Sequence, residues 1–499
     1  MSSCLELPDS GTSDAATIPV PIISGGSAST TPRRHRRSWP TPRHLRRVAL
    51  LILFILIPFG GTFFEIARSI VGGSPLAYLA VLPVLLAVIT FGCSAPPRGV
   101  GDAEADWILA GFVGGLTLLL RYLMEHRFPT LSGLWHVTMI GAVVWAAIAA
   151  TILFGVRQVA AKWPVWVFAL GTVTPVPYLM ITAWLGGSAT ASSTAAAMIG
   201  TVAVFLAGRR HVMSWRLAAT AVCAALGVGG AVAFAGLPLL VSVVISAGVV
   251  PLIVFVALTL FGKRRWLQPH TEAAQAPRRS VVSITALAAG AAALLVLNGL
   301  HPTDPPHPAR VPANWQAMSG LVQTAEYDFI HRYLGDDASF VRYAVPAREG
   351  SPQARVDVIT DDNLEALRTF RDVIWYPADG IPNYFPVGLD NSVVSDARAA
   401  ASDASSTIDA TVRHWYAVTW HWQAGGKYQQ VLVILNQDPM SDAEPPAPAE
   451  LTLHDTLAAP ALWLTRQQAN PSVDVDPLVT IRAQQIISEF TSTGVPQGV

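Results

Sequence analysis

Between residues 47 and 300 the chain alternates long apolar runs with short polar breaks. The runs fall at 48–67, 77–93, 107–123, 134–156, 164–185, 193–207, 217–235, 237–261 and 281–300. A helix needs about 20 apolar residues to cross a hydrocarbon core roughly 30 Å thick, so the pattern predicts nine membrane spans. The 45 residues from 217 to 261 are too long for one helix, and Gly236-Leu237-Pro238 offers a turn between two. The last run, VVSITALAAGAAALLVLNGL, carries no charge and organises the chain: it closes the helices before it and tethers the water-soluble residues after it.

After Leu300 the pattern changes. HPTDPPHPARVP, residues 301–312, predicts an extended linker. Trp315, Met318, Leu321, Val322, Tyr327 and Ile330 recur at helical spacing over 314–334. Residues 340–345 and 354–359 predict strands, and Asp361 can cap a helix over 363–370. VRHWYAVTWHWQ and YQQVLVILNQ, joined by Ala-Gly-Gly-Lys, predict a β-hairpin. Its alternation puts Val412, His414, Tyr416, Val418, Trp420 and Trp422 on one face. Arg413, Trp415, Thr419, His421 and Gln423 fall on the other, so one face is expected to be more buried. MSDAEPPAPAE predicts a flexible surface loop, and 478–490 a closing helix.

The expected fold is therefore an α-helical polytopic membrane bundle of about nine helices with a C-terminal extracytoplasmic α+β domain on an antiparallel sheet. Its expected parts are a disordered basic tail (1–46), the bundle (47–300), the linker (301–312) and the domain (313–499).

Composition agrees with a membrane protein: 52% of residues are hydrophobic and 13% charged, where soluble domains carry about 25% charged residues. A formal net charge of zero conceals a segregation. Residues 301–499 hold 24 acids against 12 bases, leaving 9 acids and 21 bases, of 33 each, in the first 300. The bases are nearly all Arg, which with the abundance of Ala, Gly and Val suggests a bacterial chain of high-GC coding. Placing the TPRRHRRSWPTPRHLRR tail inside puts Arg98, Arg157, Lys162, Arg209, Arg210, Arg216, Lys263, Arg264, Arg265, Arg278 and Arg279 in inner loops. Outer loops then hold only Arg68 and Arg127, with Arg121 near an outer helix end. This is the positive-inside pattern, and an odd number of spans carries the acidic domain outside. The tail then anchors the first helix, which is expected to be retained rather than cleaved.

No Walker A loop, GxGxxG, HExxH, GxSxG or CxxC pair occurs, so the easy ATPase, dinucleotide, zincin and serine-hydrolase readings have no support. The three cysteines are far apart in sequence and none lies beyond residue 300, so no disulfide or zinc framework is expected in the domain. No metal and no cofactor is expected.

Two groups of residues could carry function. Glu65, Arg68, Arg121, Glu125, His126, Arg127 and His136 all fall at outer helix ends, where ionisable groups are costly and often functional. Snorkelling to headgroups or contact with the outer domain would also place them there. The second group is the aromatic and proline-rich stretch 374–389, IWYPADGIPNYFPVGL, in which Trp375, Tyr376, Tyr384 and Phe385 suit a glycan or protein partner if exposed and a core if not.

A many-helix bundle followed by an external α+β domain looks like an exosortase fused to its accessory domain, a family that uses a Cys with Arg and His at the outer membrane face. Here FGCSAP (Cys93) and AVCAALG (Cys223) fall toward the inner side and lack a matching Arg and His arrangement, so both cysteines are expected to be packing residues.

The expected partners are the lipid bilayer and an envelope protein or glycan, not nucleic acid. The expected function is a bacterial envelope protein whose external domain binds such a partner. A transporter would show a polar pathway through the bundle. A membrane-embedded envelope-modifying enzyme would gather polar residues at the outer face beneath the domain.

Overall fold

A computed structural model describes residues 42–93, 103–262, 281–299, 307–346, 351–378, 382–389, 394, 396–402, 414–452 and 475–494. Of the tail expected to be disordered over 1–46, residues 1–41 lie outside the described residues, as do the basic loops at 94–102 and 263–280, while 42–46 already belong to the first helix.

The apolar runs form α1 (Pro42–Val71), α2 (Leu82–Gly92, entered through a tight helical turn over Pro75–Val81), α3 (Ala103–Arg127) and α4 (Pro129–Leu134). There follow α5 (Val137–Phe154), α6 (Val156–Ala161), α7 (Trp163–Val173), α8 (Pro175–Trp184), α9 (Ala189–Ala207) and α10 (Met213–Ala233). The set ends with α11 (Leu239–Val243), a π-helical turn (Val244–Val249), α12 (Val250–Phe261) and α13 (Val281–Gly299). Among the described residues eight helices are long and apolar enough to cross a membrane, and α7 with α8, bent by 63°, would make a ninth span. Leu239–Phe261 counts as one of the eight, so the run 217–261 is two helices reversing at Phe234–Pro238.

The α7–α8 break follows from two prolines. Pro175 and Pro177 have no N–H to continue the ladder, and Thr174, preceding a proline, is extended at φ −82° and ψ 115°. Carbonyls near the break are not left bare. Tyr78 Oη donates to Thr172 O at 2.9 Å, and its ring stacks 4.0 Å from Tyr178, whose hydroxyl donates to Ser192 O. Glycine sets the closest crossing, where a Cβ on Gly92 would lie 2.2 Å from the Ala207 carbonyl oxygen.

A second cluster joins α1, α3, α5 and α13 around Trp145, with Phe54, Phe59, Ile148, Leu287 and Leu294. Pro58 cannot donate to the Phe54 carbonyl, and Trp145 Nε1 does so instead at 2.7 Å. Large apolar side chains such as Phe64, Phe91, Ile108, Phe112 and Leu260 point outward from the bundle. Trp184 is exposed toward one end, and Trp163 and Trp215 toward the other.

The C-terminal sheet has eight strands: β1 (Ala309–Val311), β2 (Val322–Glu326), β3 (Ser339–Ala344), β4 (Ala354–Asp361), β5 (Phe385–Pro386), β6 (Arg398–Ala401), β7 (Trp415–Ala424) and β8 (Lys427–Asn436). Their order is β2-β3-β4-β8-β7-β6-β5, antiparallel throughout, and β1 pairs with β7 in parallel. The β7–β8 turn is Gly425-Gly426, both at positive φ (60° and 88°), as a two-residue hairpin of right-handed twist requires.

Both faces of this hairpin are buried, where alternation alone predicted one. Val418, Trp420, Trp422, Val431 and Val433 pack against the last helix, α14 (Pro477–Gly494), through Val479, Ile486 and Phe490. On the opposite face Trp415, Ala417, Leu432 and Ile434 join Phe340, Trp375 and Tyr384 in a cluster that continues into Ile70 and Leu76 of the bundle. The bundle end and the segments beneath the sheet do what a second layer would do in a soluble domain.

Three further expectations change. The stretch 314–334 is not one helix: a short turn (Trp315–Met318) gives way at Gly320 (φ 66°) to β2, then to short helical turns over Asp328–Leu334. The linker at 301–312 already contains β1. The cap of the helix Leu364–Thr369 is Asn363, whose side chain accepts from the Glu365 and Ala366 amides, while Asp361 accepts from the Asn363 amide.

The loop 440–450 is pinned rather than loose. Arg342 pairs bidentately with Asp357 (2.7 and 2.6 Å), donates to Pro446 O at 2.8 Å, and leaves Pro445 and Pro446 buried. Tyr376 Oη also donates to Asp357, at 2.7 Å. A buried ion pair costs desolvation unless further hydrogen bonds complete it, and here they do.

Candidate functional site

The domain sits on the bundle end formed by Ile70–Ser74, Phe128–His136 and Gly186–Ser188. Asn363 Nδ2 donates to Gly73 O at 2.9 Å, and Ser74 Oγ lies 3.0 Å from Thr369 Oγ1. The Tyr384 amide donates to Thr130 Oγ1 at 2.7 Å, and Asn383 Nδ2 to Arg127 O at 3.4 Å. At Gly187 (φ 73°) the backbones approach so closely that a Cβ would lie 2.3 Å from the Arg332 carbonyl oxygen.

Beneath this seam lies a cavity of about 480 Å³, within the range of small-ligand sites. α1 supplies Thr62 and Glu65, α3 supplies Arg121 and Glu125, and α13 supplies Leu295 and Asn298; Ser132, His136 and Thr138 complete its polar wall. Arg121 is nearly buried. It pairs with Glu125 at 2.7 Å, donates through Nη2 to Asn298 Oδ1, and keeps a buried Nη1 without a hydrogen-bond partner. Asn298 Nδ2 donates to Pro58 O, and Thr138 Oγ1 to Glu125 at 3.3 Å. A smaller cavity of about 200 Å³ shares Glu65, Ile66 and His136, and adds Arg68 from the bundle and Glu365, Arg368 and Thr369 from the domain. Glu365 and Arg368 pair at 2.9 Å.

His136 holds the turn between α4 and α5 in a left-handed conformation (φ 50°, ψ 51°), unusual for a residue with a side chain. Burial lowers its imidazole pKa, and the Asp372 carboxylate opposes that shift. With His136 neutral, the charges lining the two cavities balance: Glu65, Glu125 and Glu365 against Arg68, Arg121 and Arg368.

Of the ionisable residues singled out in the sequence, Glu65, Arg68, Arg121, Glu125 and His136 line these two cavities. His126 lies outside them, bonded to Tyr122 O and packed on the Tyr122 ring, and Arg127 meets the domain through its backbone carbonyl. The aromatic stretch turns inward: Trp375, Tyr376 and Tyr384 are buried, and Phe385 alone of the four is exposed. The surface their rings meet is the rest of this chain, including the bundle end.

Sequence reasoning missed Asn298, Thr138 and the domain's Glu365 and Arg368. Asn298 could have been found, as an amide near the end of an uncharged span. Glu365 and Arg368 could not, because nothing local says which helix of the domain faces the bundle.

Cys93 and Cys223 are buried and unbonded to each other, and Arg210 donates to the Cys93 carbonyl at the opposite end of the bundle. Among the described residues no group of His, Cys, Asp and Glu could hold a metal ion. No family model, curated protein or solved structure matches this chain.

Proposed function

We propose that this is a multi-pass protein of the bacterial cell membrane that recognises a polyhydroxylated headgroup of an envelope component. In this reading the N-terminal tail is cytoplasmic and the sheet domain caps the site from outside. The observation that carries it is the cavity at the bundle–domain seam, whose wall mixes carboxylates, a guanidinium, hydroxyls and an amide. A polyol both donates and accepts hydrogen bonds on every hydroxyl, so a wall that offers donors and acceptors side by side suits it. The orientation is supported by Arg157, Lys162, Arg209, Arg210 and Arg216, which lie at the bundle end remote from the domain.

Recognition by an exposed aromatic patch has less support, since three of the four rings are already occupied. The broken helix α7–α8 would suit a transporter, but the Tyr78 hydroxyl ties the Thr172 carbonyl beside its break.

The test is ligand-observed saturation-transfer NMR on the purified full-length protein, with methyl glucoside and myo-inositol as probes. Transfer to at least one polyol, reduced several-fold by Glu65→Gln, is expected. Equal transfer to wild type and to the Glu65→Gln and Thr62→Leu variants would overturn the reading.

A further inference from the structure

The cavity is walled by two helices at the edge of the bundle, and this decides how a ligand reaches it. α1 and α13 bury few of their residues, and both contribute to the lining. Gly61, Leu295 and Gly299 line the cavity and are themselves exposed. An added Cβ at Gly61 or Gly299 would meet nothing within 4 Å, so open space adjoins the cavity at these two lining residues. Ile57 and Phe64 on α1, and Leu295 and Val296 on α13, present apolar side chains beside the opening. On the domain side, the end of α1 and the turn at Ser74 are tied to Asn363 and Thr369 of the domain.

We infer that the ligand is a lipid-linked polyol, a glycosylated diacyl amphiphile that enters sideways from the bilayer between α1 and α13. Its hydroxylated headgroup lies among Glu65, Arg121, Thr138 and Asn298, and its acyl chains stay outside, along Ile57, Phe64 and Val296. The inference rests on the headgroup reading and adds the source and the route. The physical reason is continuity: a polar chamber that opens at an apolar helix face offers each half of an amphiphile the environment it prefers, whereas a free sugar would have to shed water at a lipid-facing slot. Gly61 and Gly299 at the slot let a chain pass close to the two helix backbones.

The experiment is native mass spectrometry of the full-length protein released from nanodiscs containing equal amounts of dioleoyl glucosylglycerol and dioleoylphosphatidylcholine, whose acyl chains are matched. Retention of the glycolipid at least about tenfold above the phospholipid is expected for the wild type. Gly61→Leu, which fills the slot at a position where a side chain meets nothing and improves helix propensity, should bring retention down to the phospholipid level without lowering Tm. Equal retention of the two lipids by the wild type, or full glycolipid retention by Gly61→Leu, overturns the inference. In either case methyl glucoside transfer to the wild type separates the two claims. If it persists, the headgroup reading stands and the lateral route is wrong; if it too is missing, both fall.

Discussion

Trp375 lies where the sheet, the turns over Asp328–Leu334 and the segment leading to the bundle meet. Its ring centroid is 5.2 Å from Tyr333, 5.8 Å from Phe329 and 6.2 Å from Phe340. Trp375→Ala should cost about 3–5 kcal/mol, as removal of a buried aromatic ring does, and lower the Tm of the full chain. Trp420 is as fully buried on the other face, packed edge-on to Trp422 at 5.5 Å. Trp420→Ala should cost a similar amount, about 3–5 kcal/mol. Its indole N–H has no partner, so Trp420→Phe should cost much less, which separates lost packing from lost hydrogen bonding in the same melting measurement.

Titration gives another test at this scale. Burial raises the Asp361 carboxyl from 3.8 to about 6, against the opposing effect of the Asn363 amide. The folded state therefore binds this proton more tightly than the unfolded state. The contribution to stability is full below about pH 4 and lost as pH rises through about 6. Asp361→Asn, which keeps an acceptor for the Asn363 amide, should remove that component, so its Tm should fall less than that of the wild type between about pH 4 and 7. Parallel pH profiles would contradict the assignment.

Among the elements, the apolar runs were legible because a span needs only length and hydrophobicity. The α7–α8 break has a local cause, Pro175 and Pro177, within a run whose length and hydrophobicity alone mark it as one span. The hairpin was legible from its alternation and its glycines. The stretch 314–334 was not, since six apolar residues at helical spacing fit a helix until Gly320 and the pairing of Val322–Glu326 with β3 intervene. Pairing partners far away in sequence leave no periodic trace. The same holds for the seam: the sequence places Glu65, Arg121 and His136 at helix ends, but their convergence depends on which ends adjoin. Close crossings are equally silent until glycines are seen against backbone. Gly92→Val would force α2 away from α9, and should lower both the yield of folded protein and its Tm. A variant as stable as wild type would show that this crossing has room.

At the scale of the whole molecule, residues 47–499 form one compact unit, where a linker of prolines predicted a tethered domain. Among the described residues eight helices are long and apolar enough to cross a membrane, nine with α7–α8 as one span. Nine would carry the domain to the side opposite the N-terminus, and the domain packs on the bundle end beside the polar cavity. A reporter active only outside the cytoplasm should work after Val499 and fail after Arg265; activity at the second position alone would reverse the topology. The seating brings Glu365 and Arg368 of the domain to the smaller cavity beside the headgroup site, so it is the claim on which the whole-molecule account depends. Its most direct measurement is a disulfide between Ser74→Cys and Thr369→Cys, placed where the native hydroxyls are 3.0 Å apart, in a chain with Cys4, Cys93 and Cys223 replaced by Ala. In intact cells the pair is expected to oxidise spontaneously within one chain, since the proposed topology puts it in the oxidising compartment outside the membrane. Free thiols at both positions, in a variant that is folded and inserted, would contradict the seating.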